Sequence, residues 1–161
     1  DHNLPGDRIE LEITEESLVT DIDKVTNTLN NLKQTGINIA IDDFGTGYSS
    51  MNYLKKLPVD VLKIDRSFIK DIDIEKGDEA IITSIIALAH GLNLKVVAEG
   101  VETSAQHEFL SKLKCNYSQG YLYNKAMTVE EISIILTCAT IYTISIWTCS
   151  PRSIYINSSI V

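Results

Sequence analysis

Along its 161 residues the chain switches repeatedly between two hydrophobic periods, one of about two residues and one of about 3.6, the repeats of strand and helix. In Arg8–Thr14, Ile9, Leu11 and Ile13 fall on one face and Glu10, Glu12 and Thr14 on the other, which predicts a strand. Asp21–Gln34 carries Ile22, Val25, Leu29 and Leu32 at helical spacing, and Gly36 is placed to end that helix. A second strand runs through Ile37, Ile39 and Ile41. Two adjacent carboxylates, Asp42 and Asp43, stand where it should end, followed by Gly45 and Gly47 as turn residues. A short helix over Met51–Leu54, punctuation at Pro58 and a third strand over Val61–Asp65 come next.

Asp78 is positioned to cap a helix over Glu79–His90, whose Ile81, Ile82, Ile85, Ile86 and Leu88 form a broad apolar face stopped by Gly91. Lys95–Glu99 predicts a fourth strand, and Thr103 with Gln106 a capping box opening the helix behind it. Tyr117–Tyr123 reads as a weaker fifth strand, and Thr128 with Glu131 as a second capping box before a last helix. Strands thus recur at intervals of roughly 22 to 34 residues with helices between them, the signature of parallel strands joined by helical crossovers.

The polar residues share one phase in these units. Glu12, Asp42, Lys63, Glu99 and Gln119 all fall near the C-terminal end of a strand, the rim on which a parallel α/β barrel builds its sites. Carboxylate oxygens are hard ligands for magnesium or manganese, and Asp42 beside Asp43 has the arrangement to bridge two ions. Two cations about 4 Å apart can polarise a phosphodiester and activate a water. Lys63 would then steady charge on the phosphate and Glu99 orient or deprotonate the water. Plainer readings stand beside this one: Asp-Asp before Gly is ordinary turn chemistry, and Lys63 with Glu99 also makes an ion pair across the barrel mouth.

Composition narrows the field. A 44% hydrophobic content supports a core for one domain, and a formal charge of −8 argues against a partner held by polymer phosphates, DNA or RNA. The chain opens at Asp1 with no basic and apolar leader. Cys115, Cys138 and Cys149 lack the spacing of a disulfide framework or zinc site, which fits a reducing cytosol. His90, beside Gly91, reads as complementing a helix dipole rather than as a ligand. Asp43-Phe44-Gly45 is the metal-binding tripeptide of protein kinases, yet no H-R-D loop lies upstream; Gly45-Thr46-Gly47 lacks the G-K-[ST] of a P-loop.

Five stretches in order and register carry a resemblance: Glu12-Ile13-Thr14-Glu15, Asp42 to Ser50, Leu57 to Asp65, Val97 to Thr103, and Gln119 to Leu122. Residues 1–136 resemble the EAL domain, a family of bacterial phosphodiesterases that open cyclic di-GMP to linear pGpG on a modified TIM barrel. The fold expected from it is a TIM-like (β/α) barrel, incomplete at its N-terminus, with about five of eight strands. The resemblance implies a two-metal Mg²⁺ or Mn²⁺ site with Glu12, Asp42 and Asp43 as ligands. It implies Lys63 near the attacking water, Glu99 as general base or water-orienting group, Glu102 and Gln119 as further active-site residues, and Glu15 as the support of the loop after Asp43. It also implies a homodimer through Ser49–Leu57 and a bacterial, cytoplasmic setting.

Two departures qualify that expectation. The Glu-Ala-Leu segment that names the family, and the asparagine ligand on its next strand, should precede Glu12, and these residues have no room for them. The chain alone is therefore expected to be inactive or nearly so, the alternative being a catalytically silent module that binds cyclic di-GMP or a protein. Ala126 stands where the family usually shows proline. Residues 137–161 are rich in Ile, Thr and Ser with Arg152 as their only charge, and are read as a nonhomologous extension rather than a membrane span.

Overall fold

The computed structural model describes residues 5–18, 22–46, 51–72 and 76–134. Five strands, β1 (Glu10–Thr14), β2 (Asn38–Phe44), β3 (Val61–Ile64), β4 (Lys95–Glu99) and β5 (Tyr117–Gln119), pair in parallel in the order of the sequence. Helices α1 (Ile22–Lys33), α2 (Met51–Leu54), α3 (Arg66–Ile69), α4 (Lys76–Gly91) and α5 (Ser104–Lys112) fill the crossovers, and residues 129–134 are helical. The parallel order is the one the alternation of periods predicts, and the open sheet, with β1 and β5 as its edges, is the incomplete TIM-like barrel that the resemblance implies.

Strand parity explains the two faces. Ile39, Ile41, Leu62, Ile64, Val96 and Ala98 point outward into the helices and are 0–1% exposed, joined by Ile82, Ile86 and Leu110. Ala40, Val61 and Val97 point the other way and form a separate small cluster, with Tyr117 against it. At the edge, Ile9 and Leu11 remain 45% and 38% exposed. The alternation that predicts β1 is real, but the helical cover that buries β2 to β4 does not extend over these two residues.

Several boundaries differ from the pattern. β1 begins at Glu10 because Gly6–Arg8 forms a 3-10 turn, where a Cβ on Gly6 would lie 2.1 Å from the Thr35 carbonyl oxygen. α4 begins at Lys76, so Asp78 sits inside its first turn rather than capping it. β5 stops at Gln119 because Gly120 turns the chain against Val101, whose O and N would lie 2.2 and 2.3 Å from a Cβ there. Helix α3 was not predicted: Asp65 ends β3 and caps it, accepting the Ser67 N–H at 2.9 Å. The Thr103–Gln106 box is present, as is the reciprocal Thr128–Glu131 pair. Residues 137–161, with Cys138 and Cys149, lie outside the described residues.

Candidate active site

β2 runs through both carboxylates instead of ending before them. Its register against β3 shifts between Ile41 and Phe44, and Asp43 has φ 54°, so the strand bulges where the acids lie. Regular alternation would send Asp43 outward under the helices. The bulge leaves it exposed while Asp42 stays half-buried on the inner face. Gly45, at φ 100°, follows; its N–H donates to Glu15 Oε2 at 3.0 Å, and Glu15 itself is buried in the turn Glu15–Leu18. Glu15 thus anchors the start of the loop after Asp43.

On the inner face, the Lys63 ammonium is the meeting point of three strands. Its Nζ lies 2.7 Å from Glu12 Oε1, 2.8 Å from Glu99 Oε1 and 3.0 Å from Asp42 Oδ1. The lysine side chain is 4% exposed, its partners 40%, 20% and 23%. Burial alone would lower its pKa, but the three carboxylates override that and hold it well above the usual amine range. Burial raises the Glu99 pKa against the pull of Lys63, with Asp42 and Glu12 adding to the rise. Desolvation, then Asp42 and Asp65, raise that of Asp43.

The structure therefore gathers Glu12, Asp42, Lys63 and Glu99. Gln119 is the register partner of Glu99, and its carbonyl accepts the Val101 N–H at 3.0 Å. Glu102 lies exposed in the segment after β4, with its backbone N–H held by Gln106. Asp65, near Asp43, was not singled out in the sequence; it shares strand parity with Lys63, which is the signal that marks it. Of the Ser49–Leu57 stretch, Ser49 and Ser50 lie outside the described residues, Leu54 and Leu57 are buried, and Tyr53, Lys55 and Lys56 are exposed.

The chemistry of the donors suits a hard divalent cation, and Asp42 Oδ1 is a buried oxygen that receives no hydrogen bond despite its ion-pair contact with Lys63. Among the described residues, however, no group of three or more His, Cys, Asp or Glu side chains is disposed to hold a metal ion. The Lys63 ammonium stands where the oxygens of Glu12, Asp42 and Glu99 converge.

A family model for the EAL domain matches residues 1–126. This chain belongs to the EAL domain family. It is 49% identical over 131 residues to the bifunctional diguanylate cyclase/cyclic di-GMP phosphodiesterase MucR of Pseudomonas aeruginosa, covering 81% of this chain and 19% of MucR. The cyclic di-GMP phosphodiesterase NbdA of the same species is 48% identical over 128 residues, covering 80% of this chain and 16% of NbdA. The EAL chain therefore spans less than a fifth of these relatives. Among solved structures, the c-di-GMP complex of the phosphodiesterase PaMucR superposes with a TM-score of 0.78 at 49% identity, over 81% of this chain and 53% of that one. A manganese/cyclic di-GMP complex of Klebsiella pneumoniae BlrP1 gives 0.70 at 34% identity, over 76% and 31%. Among the described residues no helix is long and apolar enough to cross a membrane.

Proposed function

We propose that this EAL chain carries the hydrolytic half of a site that opens cyclic di-GMP to linear pGpG. The observation that carries the reading is the convergence of Glu12, Asp42 and Glu99, each within two residues of the C-terminal end of its strand, on one buried lysine. The relatives that bind or cleave cyclic di-GMP support the choice of substrate. Glu12, Asp42 and Asp43 would hold Mg²⁺ or Mn²⁺, which when bound supplies Lewis acidity toward the phosphodiester. Glu99, whose pKa burial raises, takes a proton from water as the water oxygen bonds to phosphorus and the bond to the ribose oxygen breaks, that oxygen taking its proton from solvent. Lys63 offsets the negative charge that gathers on the phosphate. Gln119 and Glu102 flank the substrate, and Glu15 keeps the loop after Asp43 in place.

The test is hydrolysis of cyclic di-GMP with Mg²⁺ or Mn²⁺, followed by chromatography of pGpG, in the 161-residue chain alone and joined to the part of the PaMucR domain that it does not match. Turnover is expected to be slow alone and to rise in the joined protein, where Glu99→Ala should lower the rate by about 10²–10⁴ with ligand binding retained. An unimpaired rate in Glu99→Ala would remove Glu99 from the mechanism. The second reading, a silent module that binds cyclic di-GMP, is favoured by the lack of a three-ligand group among the described residues. Binding without turnover in the joined protein would establish it. A homodimer contact through the exposed Tyr53, Lys55 and Lys56, and a bacterial cytoplasmic setting, belong to the same proposal.

A further inference from the structure

Gln106 is 5% exposed and bonds through both ends of its amide. Oε1 accepts N–H bonds from Thr103 at 3.0 Å and Glu102 at 2.8 Å, and Nε2 donates to the Ile69 carbonyl at 3.1 Å. Only the Thr103 bond belongs to the capping box of α5. The other two reach further, to the residue that precedes the cap and to the last residue of α3. Because α3 follows directly on β3, which carries Lys63, and Glu102 follows β4, which ends at Glu99, one side chain ties together the exits of both strands.

The tied segment is clamped on its other side as well. Val101, fully buried, donates its N–H to the Gln119 carbonyl at 3.0 Å and accepts from Leu122 at 2.9 Å, with Gly120 packed against its backbone. Between these clamps the path from Glu99 to Thr103 has little room to move. A helix cap alone requires neither the Glu102 bond nor the Ile69 bond.

We infer that Gln106 is a positioning residue of the mouth: its amide fixes Val101–Thr103 against α3, and through that backbone sets Glu99 and Glu102 relative to Lys63. The inference rests on the proposed function only where a ligand is concerned, since the positioning itself is a property of the free chain.

The experiment is NMR on the 161-residue chain and two variants, reading amide exchange at Glu102 and Thr103 and the carboxyl carbon resonances of Glu99 and Glu102. Gln106→Leu removes three hydrogen bonds from a buried site and is expected to speed exchange of both amides about tenfold or more and to move both carboxyl resonances. Gln106→Glu keeps the two acceptor bonds but loses the donor to the Ile69 carbonyl, so both amides should stay protected while the Glu99 resonance still moves. If both amides open in Gln106→Leu while the Glu99 resonance stays in place, Gln106 is a helix cap only and the inference is overturned. If Gln106→Leu does not fold, Gln106→Glu decides alone: a displaced Glu99 resonance with protected amides supports the inference, an unchanged one overturns it. Titrating cyclic di-GMP into the same three proteins separates this result from the functional reading. Affinity weakened about tenfold in Gln106→Leu and lowered in Gln106→Glu as well is the expected outcome, and equal affinity in all three overturns the positioning role. A parental chain that binds none overturns the ligand reading, and the resonances still judge Gln106.

Discussion

The outer and inner faces of the sheet are made by the same three central strands and do opposite work. Outward, Ile39, Ile41, Leu62, Ile64, Val96 and Ala98 meet helices and leave almost no surface to water. Inward, Ala40, Val61 and Val97 make only a small apolar floor, above which Asp42, Lys63 and Glu99 cluster with Glu12 from the edge. A one-residue step along β3 moves from Leu62, 0% exposed among apolar neighbours, to Lys63, 3% exposed among carboxylates. The stability of the chain is concentrated on the helix-covered face, which leaves the inner face able to hold a concentration of charge that would be costly without the shared ammonium.

Removing each side in turn tests that contrast. Leu62→Ala should have the largest effect, lowering stability by about 3–4 kcal/mol in denaturant unfolding, because it opens a cavity in the helix-covered core. Lys63→Met should follow at roughly 3 kcal/mol, at the lower end of the cost of breaking a buried pair because the three partners keep 20–40% of their side chains exposed. It should also abolish hydrolysis in the joined protein, whereas Leu62→Ala should leave the residual rate per folded molecule nearly unchanged. A Lys63→Met chain as stable as its parent would show that the inner face does not need its counter-ion.

Gly120→Ala is expected to cost about 1–3 kcal/mol, since a Cβ there meets the Val101 backbone at 2.2–2.3 Å and the strand exits must part. Unchanged melting would show that the clamp between those exits is loose. The smallest effect is expected at Asp65→Ala, about 1 kcal/mol, from loss of the α3 cap. Burial works to raise the Asp65 pKa, but hydrogen bonds from Ser67 and Arg66 hold it below the ordinary carboxylate value. Its contribution is therefore present above the unfolded pKa and lost as pH falls through the folded one, so parent and variant should converge in stability on acidification. A gap that stays constant with pH would remove the charge from the explanation.

The sequence alone marked four of the residues that meet at the mouth, because strand parity and helix spacing are local and each strand end could be read without knowing its neighbours. Glu12, Asp42, Lys63 and Glu99 share a phase in their units, and parallel pairing then brings that phase to one edge. The bulge at Asp43 was not legible: it follows from a shift in the pairing of β2 against β3, a partner about twenty residues away in sequence. Helix α3 was missed because four residues are too short to show a helical period. Gln106 was seen as half of a capping box, a local motif, while its bond to Ile69 spans 37 residues and depends on how α3 and α5 meet.

What the residues fixed by themselves was the parallel strand-and-helix order, the identity of the acidic and basic groups and the strand ends on which they stand. These follow from periodicity and short-range sterics, which act within a few residues. Only the folded chain decided that the carboxylates share one ammonium, that β2 bulges at Asp43, and that the exits of three strands are tied to one another. Those outcomes depend on contacts between distant segments, whose distances are set by packing rather than by any local rule.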